Sequence, residues 1–376
     1  MPEVGMVSKR EPCVINMCKN ILKRLFKRKS KVKSEEEIKL AKDSAAEMLR
    51  VMYDKIENLS EYTVPLYDVI EDYFFQDVDY QRLQSNLPLW MADAGRSPES
   101  PCDRVYYDSL RQTYNDPLSN RILHWFDVQN ILAAFQDRVC ALIPYLEDIF
   151  KEIPAYCLYK DMDYTNANRV INPRTDSIHT SINNVFVSLA SAFDLFTKVV
   201  YECAKYDPNG FVTYKRLKSR ADGILYAKKN YGFEELKESG LLYDEPACIR
   251  TICSFRDEFI HCGSWDYRCA IYYPSIDEEP VEPFISMPDV EPSGVLVSSG
   301  SRNKFYASGA KINTVLPPLV IDVVDVLAKT RDRLMEVLQG MTKPAADKER
   351  EKAADAYVRV ITKNLVKLAG IKVKKI

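Results

Sequence analysis

Residues 176–205, DSIHTSINNVFVSLASAFDLFTKVVYECAK, carry the pattern that decides the fold class. Their apolar side chains recur three or four residues apart: Ile178, Ile182, Val185, Leu189, Phe193, Phe196, Val200 and Cys203. A stripe with this spacing is typical of a helix that faces a hydrophobic core. The pattern therefore predicts a long core helix from Asp176 to about Lys205.

The same reasoning predicts helices on both sides of this stretch. Ser34 and Glu37 have the spacing of a capping box, which starts a helix that runs to about Leu59. Ser119 is the predicted cap of a long helix that Pro144 kinks or divides. The predicted helices cover residues 34–59, 64–76, 120–151, 176–205, 247–261, 319–339 and 345–368.

A different pattern lies between residues 264 and 315. Five prolines exclude a continuous helix there: Pro274, Pro280, Pro283, Pro288 and Pro292. Short apolar runs at 267–273, 284–287 and 295–299 predict strands instead. The fold class is therefore predicted to be mainly α, a helical bundle with a small β insert and an N-terminal helical region before it.

The length of 376 residues favours two domains. The helical patterns stop at a proline-, aspartate- and tyrosine-rich stretch, where we place a connector. We predict a basic tail at 1–33, a helical region at 34–153, a connector at 154–175, a helical domain at 176–340 with its β insert at 264–315, and a C-terminal helix with a basic tail at 341–376.

The composition argues against several classes of site. The ten cysteines contain no C-x-x-C pair and there are three histidines, so we expect no metal and no cofactor. The cysteines lack the density and spacing of a secreted disulfide-bonded domain, so we expect a reducing cytoplasm. The sequence contains no uncharged apolar stretch of ~18 residues, so a transmembrane helix is not expected. The glycine-rich phosphate loops and the nucleophile elbow of hydrolases are also missing from the sequence.

The segment from Lys19 to Lys33 is strongly basic, and apolar residues are spaced within it as on a helix. This pattern allows weak contact with an anionic membrane or a nucleic acid. A solvated basic tail is the alternative.

The segment SFRDEFIHC, residues 254–262, contains an R-x4-H motif at the end of a predicted helix. Arg256 and His261 are its two ends, and Asp257 follows the arginine. With the upstream helix SINNVFVSLASAFD at 181–194, this motif resembles the HEPN superfamily, especially its larger prokaryotic members. The resemblance covers about residues 176–340.

The resemblance implies a helical bundle that dimerises and cleaves RNA without a metal, as in a toxin or defence effector. In that role Arg256 binds the scissile phosphate, since its planar fork of donors matches a phosphate at every relevant pH. His261 transfers the proton, because an imidazole titrates near neutrality. By analogy with the family, the product is a 2′,3′-cyclic phosphate.

Helix geometry predicts how this pair is assembled. Five residues advance a regular helix by ~500°, so the side chains of Arg256 and His261 lie ~140° apart. They converge only at a frayed helix end or across two copies of the motif. We therefore predict a homodimer with a shared cleft.

Asp257, Asn184 and Asp194 are predicted to support the site, and Lys215, Arg216, Lys218 and Arg220 to contact the RNA backbone. Two alternatives remain open. Arg256 can instead pair with Asp194 or Glu258 inside the bundle, with His261 capping the helix end. The chain is then a non-catalytic dimerisation scaffold or an RNA-binding protein.

Overall fold

The computed structural model describes residues 34–84, 94–95, 97–100, 102–113, 115–158, 167–212, 217, 219, 226, 232–263, 270–276 and 279–368. Within them the chain is mainly helical with a small antiparallel sheet. The helices are α1 Glu35–Glu61, α2 Val64–Phe74, α3 Tyr80–Gln84, α4 Arg104–Thr113, α5 Pro117–Cys140, α6 Leu142–Glu152, α7 Pro173–Ala204, α8 Ala247–Cys262, α9 Ile312–Met341 and α10 Asp347–Leu368. The strands are β1 Ala167–Val170, β2 Ile271–Ile276 and β3 Glu279–Pro280.

The starts of α1 and α5 are fixed by side chains. Ser34 accepts from the Glu37 backbone N–H while the Glu37 carboxylate accepts from the Ser34 backbone N–H, so the predicted capping box is confirmed. The predicted cap Ser119 is wrong. Asp116 caps α5, because its Oδ1 accepts from the N–H groups of Leu118 and Ser119 at 3.0 Å each. Pro117 then occupies the first helical position, which needs no N–H donor.

The predicted division of the helix 120–151 is confirmed, whereas the predicted start of a helix after Pro317 and Pro318 is wrong. The predicted helix 120–151 is two helices that meet at Ala141, three residues before Pro144. Pro144 thus lies in the first turn of α6, where its missing N–H costs little. Helix α9 starts at Ile312 rather than after Pro317 and Pro318, and these prolines lie in its second turn. Burial of Ile312 and Leu316 extends the helix in that direction.

The described residues of the β insert form fewer strands than predicted. β2 covers part of the predicted strand 267–273, whereas the segments 284–287 and 295–299 form isolated bridges. β1 was not predicted. It lies in the connector and pairs antiparallel with β2, from Ala167 opposite Pro274 to Val170 opposite Ile271. The sheet therefore joins the connector to the insert.

One hydrophobic core continues from Met52 in α1 to Ile361 in α10. Helix α7 lies at its centre and packs against α5, α6 and α8. Phe135 of α5 and Phe196 of α7, for example, have ring centroids 5.5 Å apart. Segments 34–153 and 176–340 share this core, and the five-segment division of the chain stays a prediction.

Helix α7 also has the length and mean hydropathy, 1.2, of a membrane span, and it is the single such helix in the described part of the chain. More than half of its most apolar window is buried inside the protein. Burial of this kind is typical of the core helix of a soluble protein, so no clear transmembrane segment is present among these residues. The cytoplasmic location stays a prediction.

Candidate functional site

Helix α8 presents one apolar face to the core. Phe255 and Phe259 on that face pack on Phe186 of α7, with ring centroids 4.9 and 5.6 Å apart. Because each residue turns an α-helix by ~100°, Arg256 and Asp257 fall beside this face rather than within it. The core thus fixes where the polar residues of the motif point.

Arg256 and Asp257 line a cleft of about 590 Å³ beside α5, α7 and α8. The Arg256 side chain is 25% exposed, and its Nη1 donates to Asp257 Oδ1 at 2.7 Å. A cleft of this volume is large enough for a ligand of nucleotide size. The guanidinium is therefore accessible, and Asp257 holds its orientation.

His261 lies in the last turn of α8 and is exposed, but it is not among the described residues that line this cleft. Helix α8 stays α-helical through Cys262 and ends at Gly263, whose φ of 84° is the left-handed conformation that glycine accepts. The prediction of a frayed helix end, which would bring Arg256 and His261 together within one chain, is therefore wrong. Convergence of the two side chains across a second copy stays a prediction.

The predicted supporting residues do not all lie at the cleft. Asp194 lines the cleft; its Oδ2 lies 2.8 Å from Lys198 Nζ, and its Oδ1 accepts from the Tyr226 N–H at 3.4 Å. Asn184 is partly buried on α7 and is not one of the described residues around the cleft. The partner of Arg256 is Asp257, which argues against the predicted pairing with Asp194 or Glu258.

Glu258 faces away from the cleft and binds the β insert. Its side chain is 5% exposed, its Oε1 lies 2.9 Å from Lys304 Nζ, and its Oε2 accepts from Asn303 Nδ2 at 2.7 Å. Burial raises the pKa of this carboxyl, but the hydrogen bonds from Lys304 and Asn303 outweigh burial and hold the pKa below its ordinary value of 4.5. Glu258 is therefore charged at neutral pH and holds the insert on α8.

Three charged residues that line the cleft were missed in the sequence: Arg138, Glu245 and Arg250. A signal existed for Arg250, because Arg250, Ser254 and Asp257 are spaced four and three residues apart and so share a face of α8. No such signal existed for Arg138, which reaches the cleft from α5 through tertiary packing. The cleft thus contains two guanidinium groups besides that of Arg256.

Cys253 also lines this cleft, but it is a poor nucleophile. Burial, with smaller contributions from the charges of Asp257 and Glu245, raises the pKa of its thiol to about 12. The neutral thiol is therefore its form at physiological pH, and thiolate is the form that attacks electrophiles.

The predicted RNA-contact residues Lys215, Arg216, Lys218 and Arg220, and the basic segment Lys19–Lys33, lie outside the described residues. The described residues hold no group of three or more His, Cys, Asp or Glu side chains placed to bind a metal ion. The expectation of no metal and no cofactor stays a prediction.

Comparison of the chain with protein-family models, curated proteins and solved structures finds no significant match. The resemblance to HEPN proteins therefore rests on the R-x4-H motif and on the helix that packs behind it.

Proposed function

We propose that the protein is a metal-independent endoribonuclease of HEPN type whose active site forms between two copies of the chain. The observation that carries the proposal is that Arg256 and His261 both reach solvent on the same helix, and neither is used in packing the core. A core histidine or a fully buried arginine would have argued for a structural role.

The proposed chemistry assigns one task to each residue. The guanidinium of Arg256 binds the non-bridging oxygens of the phosphate and stabilises the charge that develops there. The imidazole of His261 accepts the proton of the RNA 2′-hydroxyl as its oxygen attacks the adjacent phosphorus. The bond from phosphorus to the 5′-oxygen breaks and that oxygen takes a proton from water, so the products are a 2′,3′-cyclic phosphate and a 5′-hydroxyl.

A two-fold dimer would bring Arg256 and His261 together. A pair of α8 helices that meet through their C-terminal turns would place His261 of one copy toward Arg256 of the other, because a two-fold interface pairs each residue reciprocally. Ile260, next to His261, has 54% of its surface exposed and supplies an apolar contact for such an interface.

The test is cleavage of labelled RNA in EDTA by the full chain. We expect the wild-type protein to cleave, and Arg256→Gln and His261→Ala each to lose at least ~100-fold in rate. Arg104→Gln is the matched control, because its side chain is 93% exposed on α4, and it should cleave like the wild type.

A mixture of the two inactive variants tests the composite site. In a mixed dimer, the His261→Ala chain supplies Arg256 and the Arg256→Gln chain supplies His261, so one of the two sites is intact. An equal mixture should regain about a quarter of the wild-type activity, since half of its dimers are mixed. An active wild type without any recovery in the mixture would contradict the two-chain site.

The second candidate is a non-catalytic RNA-binding scaffold. It is favoured by the hydrogen bond that Arg256 makes to Asp257 and by the position of His261 outside the cleft. Wild-type protein that binds RNA and never cleaves it would support this candidate and reject the nuclease.

A further inference from the structure

A cysteine and a lysine meet where the connector crosses the start of α9. Lys311 directly precedes α9 and is 6% exposed. Its Nζ lies 3.0 Å from the Sγ of Cys157 and 4.9 Å from the ring centroid of Phe284. The two residues are 154 positions apart in the sequence.

The surrounding contacts hold this pair together. Asn313 Nδ2 donates to the carbonyl of Pro154 at 2.7 Å, which fastens the connector to α9 three residues before Cys157. The backbone of Lys311 forms an antiparallel bridge with Ser286 of the insert. The sulfur and the nitrogen are therefore kept close by both of their backbones.

Other cysteines in the described part of the chain have different surroundings. Burial raises the pKa of the Cys203 thiol well above its usual range and that of Cys253 to about 12. Cys140 is exposed and contacts the Ser60 hydroxyl at 3.1 Å. Cys157 is partly exposed, so a small oxidant can reach it, and it has an amine at contact distance.

We propose that Cys157 and Lys311 form a reversible covalent cross-link when a peroxide oxidises the protein. This inference is independent of the proposed nuclease. In the first step, the Cys157 sulfur attacks hydrogen peroxide; the thiol becomes a sulfenic acid and one water is released. The sulfur is oxidised and the peroxide is reduced.

The second step is a condensation. The Lys311 ammonium first loses a proton to solvent, and the neutral amine then attacks the sulfenic sulfur. A nitrogen–sulfur bond forms, the sulfur–oxygen bond breaks, and the departing hydroxide takes a proton from nitrogen to leave as water. The linked pair has lost two hydrogen atoms in total. Sulfenic acids condense with nitrogen nucleophiles in this way.

The cross-link would also stabilise the fold. It closes a long loop between the connector and α9, and such loops lose conformational entropy in the unfolded chain when they are closed. We expect the oxidised protein to unfold at a higher temperature than the reduced one. Dithiothreitol should reverse the shift, because a thiol attacks the sulfur and releases the amine.

The experiment treats the full-length protein with hydrogen peroxide, blocks the remaining thiols, digests without reductant and sequences the peptides by mass spectrometry. The expected product is a Cys157 peptide joined to a Lys311 peptide, lighter than their sum by two hydrogens and cleaved by dithiothreitol. A link that retains one oxygen atom between sulfur and nitrogen would support the same pair and indicate a second oxidation step.

Two variants and one control complete the test. Cys157→Ser should abolish the link, and Lys311→Arg should leave a Cys157 sulfenic acid that dimedone traps. Cys140→Ser is the matched control and should keep the link. The proposal is overturned if wild-type Cys157 is trapped by dimedone or stays reduced while no Lys311 peptide is joined to it. This wild-type readout holds even where a variant folds poorly.

Discussion

At the scale of single residues, neighbours on α8 have unlike environments. Phe255 is fully buried, Arg256 lines the cleft, and Glu258 is buried against the β insert. A turn of ~100° per residue separates these environments, and packing of the helix on Phe186 fixes which residue enters each one. A change at one of these positions should therefore affect one function and leave the others.

Glu258→Gln should lower the free energy of unfolding by about 2 kcal/mol at pH 7. The amide keeps one hydrogen-bond acceptor but loses the charge that pairs with Lys304, and charge-assisted bonds contribute about that amount. Urea unfolding of both proteins measures the difference. RNA cleavage should be unchanged, since Glu258 points away from the cleft.

The pH dependence of this difference in stability tests whether the charge of Glu258 causes it. The pKa of Glu258 is lowered on folding, so its contribution is complete above the unfolded value of 4.5 and is lost as pH falls through the lower folded value. The difference between wild type and Glu258→Gln should therefore disappear in acid. A difference that stays constant down to the lowest pH at which both fold would contradict the ion pair.

At the scale of elements, the ends of helices are decided by small groups of side chains. Apolar spacing locates the body of α5, yet it does not choose between Ser119 and Asp116 as the cap. The Asp116 carboxylate bonds two backbone N–H groups, and its Oδ2 also accepts from the Ser119 hydroxyl at 2.5 Å. Ser119 is consequently a helical residue that supports the cap.

Asp116→Ala should destabilise the protein by about 1–2 kcal/mol, since it leaves the first N–H groups of α5 without their carboxylate. Asp116→Asn should cost less, because asparagine caps helices as well as aspartate does. Thermal unfolding followed by circular dichroism compares the two. Equal losses would mean that charge, rather than the hydrogen bonds, stabilises this helix end.

At the scale of the whole molecule, the β insert and α8 approach each other closely. Gly294 has a φ of +91°, and a Cβ added there would lie 2.1 Å from the carbonyl oxygen of Ala247 at the start of α8. Arg250 Nε donates to the neighbouring Ser293 carbonyl at 2.5 Å. The turn at 293–294 thus fits against the helix because residue 294 has no side chain.

Gly294→Ala should destabilise the fold by about 3 kcal/mol or more, since overpacking adds to the strain of a left-handed alanine. Gly300→Ala is the matched control: its φ is +51° and a Cβ there would meet nothing within 4 Å. That variant should lose about 1 kcal/mol from backbone strain alone. Chemical unfolding measures both, and similar losses would argue against the contact with Ala247.

The sequence by itself determined the helical class and most helix positions, including the core stripe of α7 and the capping box of α1. Those features depend on residues three or four apart, and such residues are neighbours in any helix. It also selected Arg256 and His261, whose roles in RNA cleavage remain a proposal.

Only the tertiary structure decided the contacts between distant segments. It brought Arg138 to the Arg256 cleft, left His261 outside the described part of that cleft, turned Glu258 toward Lys304, and placed Cys157 beside Lys311. These contacts depend on how helices and the insert pack on one core. The spacing of residues along the chain does not predict that packing. It fixes the helix face on which a residue lies but not which residues lie opposite that face.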